Sequence, residues 1–171
     1  MKRVIFMAVV MMISMVTFAQ NKWRKASVKP LIGLNISDLT DANGDSRVGL
    51  SAGAEFEFPT TRMVSFTVGA IYSMQGNENA KFDYINFPVL ANVYVAPGFA
   101  VKLGLQPGIN VNDDNFDGVN SVDLSIPVGM SYEYNRFVFD ARYNFGVTKA
   151  VDGFDSKNSV FMLTVGYKLP L

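Results

Sequence analysis

The chain contains no cysteine and no histidine. These two absences exclude disulfides, thiolate nucleophiles, thiolate or imidazole metal sites and the commonest general base. Charge is sparse as well, with Asp, Glu, Lys and Arg making up 18% of residues against a usual ~25%. Lys plus Arg and Asp plus Glu number 15 each, so no basic field points to nucleic acid. A helical period is also missing after the first 19 residues. What remains is a 171-residue chain, 49% hydrophobic, of a length that suggests one domain.

The N-terminus reads MKR, then VIFMAVVMMISMV, then TFAQ. A basic start, a short apolar run and a small-x-Ala end at Thr17 and Ala19 make a secretory signal peptide. The apolar run at 4–16 is shorter than the ~20 residues of a transmembrane helix, and an uncleaved anchor is the alternative. We expect residues 1–19 to be the signal peptide and 20–171 one outer-membrane β-barrel domain. Cleavage after Ala19 removes Lys2 and Arg3, leaving 13 basic and 15 acidic residues, a formal charge of −2. No cysteine follows the cleavage site, which excludes a lipid anchor there.

Beyond that point the chain alternates. In FVFDARYNFGVT (137–148) the odd positions Phe137, Phe139, Ala141, Tyr143, Phe145 and Val147 are apolar. The even positions carry Asp140, Arg142, Asn144 and Gly146. Successive side chains of a strand point to opposite faces, so this is a two-faced strand. SVDLSIPVGMSYEY (121–134), SVFMLTVGYKL (159–169), FAVKLGLQPGINV (99–111) and DYINFPVLANVYV (83–95) repeat the pattern. So do VSFTVGAIYSMQ (64–75), RVGLSAGAEFEF (47–58) and SVKPLIGLNIS (27–37). That makes eight strands of about ten to thirteen residues, longer than the ~5–6 of ordinary strands and matching the ~9–11 of transmembrane β-strands. Pro30, Pro88, Pro107 and Pro127 each remove a ladder donor, which predicts strand ends, bulges or weak pairing there. The connections alternate too. DLTDANGD, GNENAK, NDDNFDGVN and KAVDGFDSK are long and polar, whereas PTTR, APG and Asn135–Arg136 are short. Long loops on one side and tight turns on the other mark outer-membrane barrels.

Alternation alone does not separate a membrane barrel from a soluble lipocalin-like barrel, which is its inside-out counterpart. Four features favour the membrane. The polar face is rich in glycine (Gly33, Gly49, Gly53, Gly69, Gly104, Gly129 and Gly166 among others), which suits a crowded narrow lumen and weakens a solvated strand. Aromatic residues on the apolar face gather near strand ends, as interfacial girdles do: Phe56, Phe58, Phe99, Tyr132, Tyr134, Phe137, Phe139 and Tyr167 at the short turns. Polar-face charges balance, with Lys29, Arg47, Lys102, Arg142 and Lys168 against Glu55, Glu57, Asp123, Glu133 and Asp140, and buried charges need partners. Finally, the chain is exported. The expected fold is an all-β, eight-stranded antiparallel up-and-down transmembrane β-barrel.

GLNIS (33–37), YINFPVLANVYV (84–95) and FDARYNFGVTKA (139–150) resemble the small outer-membrane β-barrel, PorT-like proteins of Bacteroidota. The resemblance covers the whole mature chain and implies an outer-membrane location. It implies no catalytic residues; some relatives support protein secretion. The final TVGYKLPL resembles the signal read by the barrel-assembly machinery, with Leu171 where many members have Phe.

Without histidine, triad logic fails, and we expect no enzyme and no cofactor. Glu133 and Asp140 are open to two readings, a catalytic carboxylate pair or part of a structural network. The network reading places Lys29, Glu55, Glu57, Lys102, Glu133, Asp140, Arg142 and Lys168 in the lumen, plugging it, because eight strands leave room only for side chains. In the acidic connection DDNFDG (113–118), Asp113, Asn115 and Asp117 match the opening of a calcium loop, but its twelfth position is Leu124 rather than Glu. Weak metal binding and a solvated loop tip both remain open. Expected partners are outer-membrane lipid and, during biogenesis, the barrel-assembly machinery; no nucleic acid is expected and no protein partner is named. The expected role is structural or interactive, with acidic extracellular loops. The alternatives are an accessory role in secretion or envelope assembly, or weak ion or small-ligand binding through the loops.

Overall fold

The computed structural model describes residues 25–39, 47–76, 81–113, 122–147 and 158–171. The expected signal peptide and its cleavage site lie outside the described residues. Alternating sequence becomes strand throughout: β1 (Ser27–Leu39), β2 (Arg47–Pro59), β3 (Val64–Gly76), β4 (Lys81–Asn86), β5 (Val89–Ala96), β6 (Phe99–Asp113), β7 (Val122–Tyr134), β8 (Phe137–Gly146), β9 (Asn158–Tyr167) and β10 (Leu169–Pro170). All pairings are antiparallel, and strands consecutive in the chain pair around the sheet except β4 with β5 and β9 with β10. β4 and β5 both lie between β3 and β6, and β9 and β10 both pair with β1. The ten segments are therefore eight staves, and the first closes on the last. The result is a closed eight-stranded antiparallel barrel.

The four prolines explain where the ladders lapse. Pro88 sits in the break between β4 and β5, where Gly69 donates to the Pro88 carbonyl (3.0 Å) and Phe87 donates to the Pro107 carbonyl (2.8 Å). Pro107 thus stands across the same break. Pro30 falls between the β1–β10 pair Val28↔Leu169 and the β1–β9 pair Leu31↔Gly166, opposite the second break at Lys168. Pro127 falls between Leu103↔Val128 and Gln106↔Ser125, where β6 and β7 are unpaired. Each residue without an N–H has been placed where the ladder has a gap, as the missing donor requires.

The short connections are tight. Asn135 takes a left-handed φ of 56° and Gly98 one of 76°, conformations that Asn and Gly adopt at least cost. The turns are stitched to one another, since Glu133 N donates to Gly98 O and Lys168 N to Arg136 O, both at 2.7 Å.

Burial is inverted relative to a soluble protein. Lys102 is 4% exposed and its neighbour Leu103 56%; Arg142 is 1% exposed and its neighbour Tyr143 38%. Ile32, Leu34, Leu50, Leu105, Phe139, Phe145 and Leu163 all stand outward and exposed. An apolar surface of that extent needs an apolar solvent. One expected girdle residue departs from the pattern: Phe58 is 6% exposed. Its ring centroid lies 4.2 Å from that of Phe56, and Phe66 stands directly across the ladder, so neighbouring rings cover it.

Candidate functional site

The inward face carries two tiers. Toward the short-turn end lies a chain of five charges. Each carboxylate in it divides its two oxygens between two cations. Glu55 meets Arg142 Nη2 through Oε1 (2.5 Å) and Lys29 Nζ through Oε2 (2.7 Å), the latter as an ion pair rather than an aligned hydrogen bond. Asp140 accepts from Arg142 Nε through Oδ1 (2.7 Å) and from Lys102 Nζ through Oδ2. The order Lys29–Glu55–Arg142–Asp140–Lys102 crosses the lumen from β1 and β2 to β8 and β6. All five residues are buried. Three cations against two carboxylates give this chain one net positive charge.

Closer to the turns is a second group. Lys168 Nζ lies 2.9 Å from both Glu57 Oε2 and Glu133 Oε2. Ser65 Oγ and Tyr94 Oη each donate to Glu57 Oε1 at 2.7 Å. This group holds two carboxylates and one cation. The eight residues that the sequence nominates for the lumen are thus brought together in two groups whose charges cancel. Glu133 and Asp140 are engaged by different cations, and the ladder sets Glu133 opposite Val138 and Asp140 opposite Ser131, so they do not form the carboxylate pair that the sequence left open.

Glycine makes room for these side chains. A Cβ on Gly166 would lie 2.6 Å from Lys29 Cγ, one on Gly69 2.8 Å from Glu55 Cγ, and one on Gly129 2.8 Å from Arg142 Cγ. Real Cβ atoms do not approach so closely, so three members of the five-charge chain lie flat across a neighbouring strand only because that strand offers glycine there.

Toward the other end amides and hydroxyls dominate the described lumen. Asn35 Nδ2 donates to Ser51 Oγ (2.7 Å) and Ser73 Oγ (2.8 Å), and Gln75 Nε2 donates to Ser73 Oγ (3.0 Å). Between the tiers the inward face turns apolar, with Ile71, Leu90 and Met162 fully buried and Leu31 6% exposed. Alternation alone assigned these residues to the polar side without a role. Ser65 and Tyr94 were also missed. Their proximity to Glu57 follows from register, through Pro59↔Ser65 and the passage of β5 beside β3, which a single strand's pattern does not contain. Asp123 is half-buried on β7, away from these groups in the register. The side chain of Arg47 lies outside the described residues, as do Asn115 and Asp117. Asp113 is the last residue of β6.

The comparisons agree with this geometry. A family model described as the outer membrane protein β-barrel domain matches residues 18–152. Among solved structures, the attachment invasion locus protein Ail of Yersinia pestis is similar at 16% identity and a TM-score of 0.58, over 85% of this chain and 99% of that one. Neisserial surface protein A is similar at 15% identity and 0.56, over 85% and 97%. OprG from Pseudomonas aeruginosa is similar at 14% and 0.50, over 89% and 99%. At such identities the likeness speaks to the fold alone. No curated protein matches the sequence significantly. The chain belongs to the outer membrane protein β-barrel domain family.

Proposed function

We propose that this outer-membrane barrel is a closed, non-conducting and non-enzymatic protein that acts through the surfaces it displays. The observation that carries this reading is the five-charge chain spanning the lumen, with every carboxylate oxygen engaged. It leaves neither a free nucleophile nor an open aqueous path at that level. In this reading the N-terminal signal exports the chain, and the barrel-assembly machinery inserts it. The short turns then face the periplasm and the four long polar connections, two of them acidic, face outward. The protein should shift its gel migration on heating and fractionate with outer membranes. In planar bilayers it should show no steady, large conductance. A stable open channel would overturn the plugged-lumen reading.

A second reading is an accessory role in protein secretion or envelope assembly. It is supported by the three segments that resemble PorT-like proteins, and it goes with membership of that subfamily. Crosslinking in intact outer membranes separates the two. A reproducible partner at the loops or periplasmic turns supports the accessory role, and a lone monomer supports the first reading.

A further inference from the structure

The short-turn end carries a feature that neither plugs the lumen nor closes the barrel. A cleft of about 330 Å³ opens between the start of β1, the β7–β8 turn and the β9–β10 break, lined by Lys25, Ser27, Glu133, Asn135, Arg136 and Lys168. Lys25 and Arg136 are exposed, and neither has an ion-pair partner among the described residues. Ser27 is 1% exposed, and its hydroxyl is without a partner. Lys168 is shared by Glu57 and Glu133. The cleft therefore presents two cations, Lys25 and Arg136, beside a lysine already engaged by two carboxylates. A hydroxyl donor stands beside them.

Beside this cleft, on the outer face of the same staves, runs an apolar groove lined by Pro30, Ile32, Phe137, Val165 and Tyr167. It shares Ile32 and Val165 with a second depression that continues over Leu34, Leu163 and Ala141. Ala141 is the small residue between Met130 and Leu163 in the register, and its missing bulk forms the floor. Tyr134, Phe137 and Tyr167 stand exposed at the level of the cleft, where aromatic side chains mark the headgroup boundary.

We propose that the cleft and groove together bind one anionic glycerophospholipid, with its phosphate among Lys25, Arg136 and Ser27 and an acyl chain along β1, β8 and β9 toward Ala141. This rests on the reading that the short turns face the periplasmic leaflet. A cationic cleft alone would fit any anion, and an apolar groove alone would fit any chain. Arg136 and Lys168 of the cleft adjoin Phe137 and Tyr167 of the groove in the chain, and that adjacency is what selects an amphiphile with a negative head.

The test is native mass spectrometry of the full-length barrel released from detergent, with phosphatidylglycerol and phosphatidylethanolamine offered in equal amounts. The wild-type protein should retain one phosphatidylglycerol in preference. The double variant Lys25→Ala/Arg136→Ala should lose that preference about thirtyfold, equivalent to ~1 kcal/mol for each of two cations. Ala141→Phe should weaken retention of the long-chain lipid while leaving a dihexanoyl analogue unaffected. No preference in a folded wild-type barrel would overturn the proposal. So would complete displacement of the lipid by millimolar inorganic phosphate, which would show a simple ion site. A heat-shifted band certifies each variant as folded, and Lys25→Ala alone, at an exposed position before β1, serves if the double variant does not fold. A wild-type protein that is soluble and unshifted would defeat the membrane reading itself, an outcome distinct from a folded barrel without lipid preference.

Discussion

The two halves of the lumen are built from the same strands yet solve burial differently. The short-turn half gathers the buried ions among its hydroxyls and amides; each carboxylate oxygen of Glu55 and Asp140 has its own cation there, while Arg142 Nη1 is left without a hydrogen-bond partner. In the other half the polar groups are mostly amides and hydroxyls, with Asp123 the described exception, and atoms of Asn86, Gln106 and Asn144 have no protein partner among the described residues. An unpaired buried charge costs several kcal/mol, whereas an amide is readily served by water at little loss. The charged half therefore has to be closed, and the amide-rich half has latitude.

That contrast ranks the substitutions. Asp140→Asn should be the most damaging, because it leaves three buried cations facing Glu55 alone. The expected loss is ~3–5 kcal/mol, read from the urea midpoint of the barrel in lipid vesicles. Arg142→Met should cost less, about 2 kcal/mol, because Glu55 keeps Lys29 and Asp140 keeps Lys102. If the arginine variant proved the weaker of the two, the five-charge arrangement would be wrong. Gly129→Val should cost ~1–3 kcal/mol by overpacking against Arg142, and a second change to Gly at a position outside the lumen should not rescue it. Asn35→Ala, in the amide-rich half, should cost ~1 kcal/mol; a loss as large as that of Asp140→Asn would erase the distinction between the halves. Smallest of all, raising NaCl to 1 M should move the wild-type midpoint by less than ~0.5 kcal/mol, since buried pairs are little screened.

Much of this was legible in alternation. Because the strand period is two, the parity of Asp140 and Arg142 against Phe139 and Tyr143 separates lumen from outer face, and the alternating connection lengths count the staves. Pairing is a different matter, because parity says which face a residue is on and not what stands across from it. That Lys29 lies beside Glu55 comes from register. That Arg142 reaches Glu55 comes from closure of the sheet around the lumen, between strands that are not neighbours. Parity gives no order among Asp140, Arg142 and the other lumen charges. The pairing sets one, by supplying each carboxylate with a lysine besides Arg142. The apolar layer of Ile71, Leu90 and Met162 was hidden for a related reason: on a mostly polar face, isolated apolar residues read as exceptions until their burial is seen. The breaks at Phe87–Pro88 and Lys168 were only half legible, since proline marks a lost donor but not the strand that goes unpaired.

Closure of β1 on β9 and β10 has a kinetic consequence. Leu31 pairs with Gly166 and Val28 with Leu169, which are among the contacts of largest sequence separation in the molecule. Every hairpin from β1 to β9 can form from near neighbours, but this seam joins strands at opposite ends of the domain. Contacts of high separation bear the largest loop-closure entropy and form late. Until they do, the sheet has two unpaired edges that a bilayer does not tolerate. Insertion should therefore be rate-limited by a single zippering event at the β1–β9 seam, and substitutions there should slow assembly more than equal destabilisation elsewhere in the barrel.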